Sequence, residues 1–232
     1  MTTAATLAAN IFRVREQIAE AAIRAGRDPA SVRLVAVTKT FPAETVQAAY
    51  DCGLRDFGEN RVQEFFQKLP SLRVSGATFH LIGHLQSNKV HPAMAFDWIQ
   101  TLDSERLARR LSQAALEAGK TLPALMEVKF GEEEAKTGVS EVGLAELVAT
   151  VAPLPALELR GLMTLPPYTE DPEGARPYFR RLRELRDRLQ QSGFPNLREL
   201  SMGMTHDFRV AIEEGATIVR VGTAIFGPRE KK

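Results

Sequence analysis

Lys39 closes the apolar run Leu34-Val35-Ala36-Val37-Thr38, and a lysine there is a candidate imine-forming nucleophile. The residues before it lay its stem against a protein interior. Desolvation lowers an amine's pKa toward the neutral, nucleophilic form. Far along the chain two more segments follow apolar runs, Ser201-Met202-Gly203-Met204-Thr205 and Gly222-Thr223-Ala224-Ile225-Phe226-Gly227. Glycines let backbone N–H groups approach a dianion, and hydroxyls add further donors. Gly203 and Gly222 supply the first, and Ser201, Thr205 and Thr223 the second. Opposite a strand-end lysine, the two segments together describe a site for a phosphorylated aldehyde.

Arg220 alternates with Val219 and Val221 in a strand that reads as buried, an expensive position for an unpartnered charge. One reading is an ion pair with a carboxylate elsewhere in the interior. The other sets the guanidinium against a ring nitrogen of the ligand. Arginine keeps its proton, so that nitrogen would stay unprotonated and the ring would be a poor electron sink. Asn60, in Glu59-Asn60-Arg61, could reach the ligand face, although its residue type equally suits a turn or cap.

Competing sites are weaker. His80, His84, His91 and His206 are scattered, and none has metal-ligand spacing with a carboxylate or with Cys52, so no metal site is expected. Lys129 also ends a strand and is the rival imine former. Glu127 on its strand face and the Glu132-Glu133-Glu134 run make ion pairing its expected role. Cys52, the single cysteine, excludes an internal disulfide and reads as a packing residue.

The elements that must position these residues alternate along the chain. Leu7, Ile11, Val14, Ile18 and Ala22 give an N-terminal amphipathic helix ending at Gly26. Strands are expected at Val32–Thr38, Arg55–Phe57, Thr78–Ile82, Trp98–Leu102, Ala124–Lys129, Leu157–Thr164, Leu197–Met202 and Thr217–Val221, with helical segments between them. Eight strands with helical crossovers predict an α/β fold, a single (β/α)8 barrel over residues 1–232 with an extra N-terminal helix and no C-terminal β-domain. An open doubly wound sheet lacks its G-x-G-x-x-G marker here. In a barrel, every candidate residue falls at the C-terminal ends of strands, where barrel sites are built.

Composition sets the surroundings. A net charge of +1 gives no clustered basic excess for nucleic acid. The arginine-rich stretch Arg180, Arg181, Arg183, Arg186, Arg188 is interrupted by Glu184 and Asp187 and reads as a solvated helix face. No signal peptide or membrane-length apolar run is present, so a soluble cytoplasmic protein is expected.

The sequence closely resembles the pyridoxal phosphate homeostasis protein family across essentially its whole length. The resemblance is carried by 36–40 (AVTKT), 57–64 (FGENRVQE), 79–89 (FHLIGHLQSNK), 160–163 (RGLM), 200–204 (LSMGM) and 219–227 (VRVGTAIFG). It implies an alanine-racemase-like fold-type III barrel in which Lys39 carries pyridoxal 5′-phosphate (PLP) as an internal aldimine. It also implies that Ser201, Thr205, Gly222 and Thr223 surround the phosphate and that Arg220 faces the pyridine nitrogen. Thr205 stands where the family usually has serine, and Lys129 where many members have asparagine.

The expected function is therefore PLP binding in vitamin B6 and amino-acid homeostasis, with no catalytic residue and no turnover. Apo PLP-dependent enzymes and free amino acids are the expected partners, and a monomer the expected state. The alternative is a fold-type III amino-acid racemase, which needs a second acid/base on the far face of the cofactor. Among Tyr50, Tyr168 and Tyr178, only Tyr168 falls in a loop that could reach the site.

Overall fold

The computed structural model describes residues 3–131 and 137–228. Its strands are β1 (Arg33–Val37), β2 (Asp56–Glu59), β3 (Thr78–Leu81), β4 (Trp98–Leu102), β5 (Leu122–Lys129), β6 (Val139–Ser140), β7 (Leu157–Met163), β8 (Glu199–Ser201) and β9 (Ile218–Val221). All pairings are parallel, in the order β4-β3-β2-β1-β9-β8-β7-β5, and β4 also pairs with β5. The sheet therefore closes on itself into the expected eight-stranded (β/α)8 barrel. The short β6 is an addition that pairs with the last two residues of β5.

Around the barrel run α1 (Ala4–Arg24), α2 (Ala43–Asp51), α3 (Val62–Lys68), α4 (Val90–Ala93), α5 (Glu105–Glu117), α6 (Glu141–Val151), α7 (Arg176–Gln191), α8 (Phe208–Glu213) and α9 (Thr223–Phe226). The local signals act as their chemistry predicts. Thr3 caps α1 by accepting from the Thr6 N–H, and Ser104 caps α5 by accepting from Leu107. The buried stripe of α1 is Leu7, Ile11, Val14, Ile18, Ala21 and Ala22, and the helix packs on α8 and α9. Asn10 fastens it there by donating to the Ile225 carbonyl at 3.0 Å.

Two expectations shift. The second strand begins and ends later than its apolar residues suggest, because Gly58 and buried Glu59 continue the ladder to β3. The seventh expected strand, Leu197–Met202, shortens to Glu199–Ser201. The arginine-rich helix α7 is also more than a solvated face. Arg176, Arg180 and Arg183 converge on the buried Glu214, and Arg181 pairs with Glu141. Four of its arginines thus fasten α7 to its neighbours.

Candidate functional site at the barrel mouth

The expected residues fall on one contiguous arc of the C-terminal rim. Lys39 lies half-buried two residues beyond β1, and Asn60 directly follows β2. Ser201 is the last residue of β8, and Gly222 directly follows β9. Because β1 sits between β2 and β9, and β9 beside β8, the four loops are neighbours. The register pairs Val35 with Arg220 and Ala36 with Val221, so the Lys39 loop stands next to the loop after β9.

The loops after β8 and β9 are built for backbone approach. Gly203 has φ +91°, and a Cβ there would lie 2.6 Å from the Ala211 Cβ and 2.9 Å from the Phe208 Cα. Its carbonyl accepts the Arg220 N–H at 3.0 Å, which ties the loop to β9. The buried Asp207 carboxylate accepts the Met204 N–H at 2.7 Å and fixes the loop from its far end. Burial raises the pKa of that carboxyl, against the pull of the Met204 N–H and of the Arg220 charge. The Thr205 Oγ1 accepts the Ala224 N–H at 3.4 Å, joining the two loops across the rim. Gly222 caps α9, and Thr223, its first residue, is exposed. Neither the Thr205 nor the Thr223 main-chain N–H has an acceptor among the described residues. This leaves neutral donors at the mouth, a set suited to a phosphate dianion.

Arg220 is 3% exposed, and among the described residues no carboxylate lies within 4.0 Å of it. The ion-pair reading is therefore replaced by a neutral arrangement. Its Nη1 donates to the Ser201 Oγ at 2.5 Å and its Nη2 to the Thr164 carbonyl at 2.9 Å. Burial pushes its pKa down to about 10, with the more distant Glu127 and Asp207 charges pulling the other way. The group still carries its proton at neutral pH.

Ser201 passes the arrangement on. Its hydroxyl donates to the Gln100 Oε1 at 2.6 Å, and the Gln100 Nε2 lies 3.0 Å from the His80 Nδ1. The His80 Nε2 is 3.0 Å from the Asp56 Oδ1. An amide NH2 can only donate, so His80 accepts at Nδ1 and donates from Nε2 to Asp56. Every donor in the chain Arg220–Ser201–Gln100–His80–Asp56 thus points the same way, from a buried cation near the mouth to a carboxylate at the start of β2. Ser201, Gln100 and His80 are fully buried, and desolvation lowers the His80 pKa more than Asp56 raises it. The hydrogen of the Ser201 hydroxyl is therefore committed to Gln100.

Gln100, His80 and Thr164 enter the site without having been singled out for it. The available signal was a lone polar residue inside an apolar strand run, as in Trp98-Ile99-Gln100. Glu127 is the other addition. It is buried, its Oε1 accepts the Thr137 hydroxyl at 3.1 Å, and its Oε2 has no partner among the described residues. Desolvation raises its pKa. Lys129 forms no ion pair with it, nor with any described residue, while Glu132, Glu133 and Glu134 lie outside the described residues. Tyr168 is 80% exposed with its ring 5.5 Å from that of His206. Tyr50 donates to the Ser75 carbonyl, and Tyr178 packs on Phe130. Cys52 is half-buried against the core.

Residues 7–230 match the family described as Alanine racemase, N-terminal domain, which defines the class of barrel. Within that class, the pyridoxal phosphate homeostasis protein of Aquifex aeolicus is 48% identical over 95% of this chain and 97% of its own length. The protein of that name from Pseudomonas aeruginosa is 44% identical over 97% of this chain and 96% of its own. The structure of PipY from Synechococcus elongatus PCC7942 with PLP bound superposes with a TM-score of 0.82 at 38% identity, covering 92% of this chain and 100% of that one. The chain belongs to the pyridoxal phosphate homeostasis protein family.

Proposed function

We propose that this chain holds PLP at the barrel mouth, covalently through Lys39, and serves intracellular PLP and amino-acid homeostasis without catalytic turnover. The observation that carries this reading is the adjacency of the Lys39 loop to the two donor-rich loops after β8 and β9. PLP supplies an aldehyde that condenses with an amine and releases one water. The residues suit it. Thr205, Gly222 and Thr223 offer hydroxyls and unpaired N–H groups for the phosphate, with Gly203 giving the room. Asn60, directly after β2 on the same arc, would face the ring. Ser201 acts through Arg220, whose guanidinium supplies a donor for the ring nitrogen and leaves it unprotonated.

The names of the relatives and the PLP-bound PipY structure support the choice of ligand. Among the described residues no helix is long and apolar enough to cross a membrane, in keeping with a cytoplasmic site of action. Apo PLP enzymes and free amino acids are the partners in this reading, and the working unit is a monomer.

Borohydride reduction of the PLP-loaded protein followed by peptide mapping should label Lys39. Lys39→Ala should lose the visible absorbance that Lys129→Ala keeps. Label on Lys129 instead would overturn the assignment. Incubation with L-alanine in deuterium oxide should leave the α-proton signal intact. Rapid exchange that depends on Lys39 would establish turnover.

A further inference from the structure

The loop that carries Lys39 is a tight turn, closed by the Phe41 N–H donating to the Thr38 carbonyl at 3.1 Å. Lys39 is its second residue and Thr40 its third. Thr40 has φ +69°, a left-handed conformation that turns of this kind reserve for glycine and that β-branched residues avoid. Such a conformation persists only where surrounding contacts over-determine it.

Those contacts come from the next β/α unit. The Lys68 Nζ donates to the same Thr38 carbonyl at 2.9 Å and reaches both Glu59 carboxylate oxygens, at 2.7 and 2.9 Å. The Thr38 hydroxyl donates to the Glu59 Oε1 at 2.7 Å, and the Thr38 N–H to the Gly58 carbonyl at 3.0 Å. On the other side of Lys39, the Thr40 N–H donates to the Glu64 Oε1, and Glu64 pairs with Lys68 at 2.8 Å from one helical turn earlier in α3. Glu59 is fully buried, and the Lys68 side chain is 7% exposed. A buried ionic cluster is a poor way to gain stability alone, since apolar replacements of the same volume serve as well or better. What this one does is grip the backbone immediately before and after a single residue.

We propose that Glu59, Glu64 and Lys68 form a positioning clamp that holds the Lys39 turn in its attachment geometry and so sets how long PLP is retained. The proposal rests on Lys39 being the attachment residue. The clamp acts on covalent attachment and not on the phosphate loops, which hang from β8 and β9. A ligand with PLP's phosphate and ring but no aldehyde, pyridoxamine 5′-phosphate, should therefore be insensitive to it.

The test variant is Glu64→Ala, which removes the acceptor for the Thr40 N–H and leaves the Lys68–Glu59 pair in place, so that the barrel still folds. Glu64→Gln restores an acceptor and serves as the rescue. PLP release into an excess of an apo PLP enzyme should accelerate at least about tenfold in Glu64→Ala, the scale of effect that a small misplacement of a reacting group produces. It should return to within about threefold of wild type in Glu64→Gln, a difference of about 0.65 kcal/mol. Pyridoxamine 5′-phosphate affinity should stay within about twofold in both, well below the change for a lost charged contact. Unchanged PLP release from a folded Glu64→Ala protein, or an equal loss of pyridoxamine 5′-phosphate affinity, overturns the clamp. If borohydride mapping of the wild type fails to label Lys39, the attachment assignment falls first, and the clamp falls with it.

Discussion

The two faces of the barrel sheet are built on opposite principles. On the outer face Ala36, Phe57, Phe79, Ile99, Leu162 and Val219 merge with the helices into one continuous apolar layer. On the inner face the apolar content is a small separate cluster of Val35, Leu125, Met163 and Ile218 packed with Trp98. Much of the remaining inner face is polar and buried, and apart from Glu127 each member is satisfied by another: Arg220 by Ser201 and Thr164, Ser201 by Gln100, Gln100 by His80, His80 by Asp56. The outer layer derives its stability from area, so a local loss is confined to the atoms removed. The inner network derives its order from pairing, so deleting one group leaves another buried and unmatched.

The largest expected effect therefore separates stability from function. Phe179 on α7 is fully buried in the outer layer. Phe179→Ala should cost about 3–5 kcal/mol in urea unfolding. Under conditions where it remains folded, it should retain PLP as the wild type does. A Phe179→Ala protein that folds yet releases PLP quickly would break the division between the faces.

The outer face is also the part that was legible in the sequence. Short apolar runs marked all eight barrel strands, and glycines marked the rims, so Lys39, Gly203 and Gly222 could be assigned to strand ends from the sequence. The inner network was not legible, for a physical reason. Ser201 and Gln100 are 101 positions apart, on strands that meet only across the closed barrel. Each alone is an ordinary polar residue in an apolar run. Glu64 and Lys68 likewise have the i,i+4 spacing of a surface ion pair, and only the packing of α3 against the Lys39 turn buries the lysine. Buried Arg220 was the exception, because an arginine between two valines demands a partner wherever the strand lies.

A smaller effect should fall on the inner face. Gln100→Leu removes the acceptor of the Ser201 hydroxyl and the donor to the His80 Nδ1 while keeping similar volume. The stability cost should be about 1–3 kcal/mol, that of buried polar groups left unmatched. Its mark should lie instead in the bound cofactor, because Ser201 is then free to turn and Arg220 loses its fixed orientation. The visible spectrum and release rate of PLP should change more than in Phe179→Ala. A Gln100→Leu protein that is less stable but spectrally identical to wild type would reduce the network to a packing device.

The smallest effect is a pH dependence, and its sign follows from burial. Asp56 on β2 and Gln100 and Trp98 on β4 face the His80 ring, Arg33 on β1 lies over the Trp98 ring, and the Arg33 and Asp97 charges act more weakly. Desolvation is the largest influence and lowers the His80 pKa in the folded protein below its unfolded value. The unfolded chain then takes up the proton first. The stability contributed by neutral His80 is present above the ordinary histidine pKa of about 6.5 and is lost as pH falls below it, by at most about 1.4 kcal/mol per pH unit. Glu59, Glu127 and Asp207 run the other way, because burial raises their pKa values in the folded state. Their contribution is full below the ordinary carboxylate range and is lost as pH rises through their folded values. The raw pH profile of the wild type mixes the two signs. Subtracting the profile of His80→Gln, which cannot titrate at that position, cancels the shared carboxylates. The difference in unfolding free energy should be flat above about pH 7 and slope against the wild type below about pH 6.5. Parallel profiles across that range would mean that the imidazole keeps its ordinary pKa in the folded barrel, and that the chain from Arg220 to Asp56 does not hold it neutral.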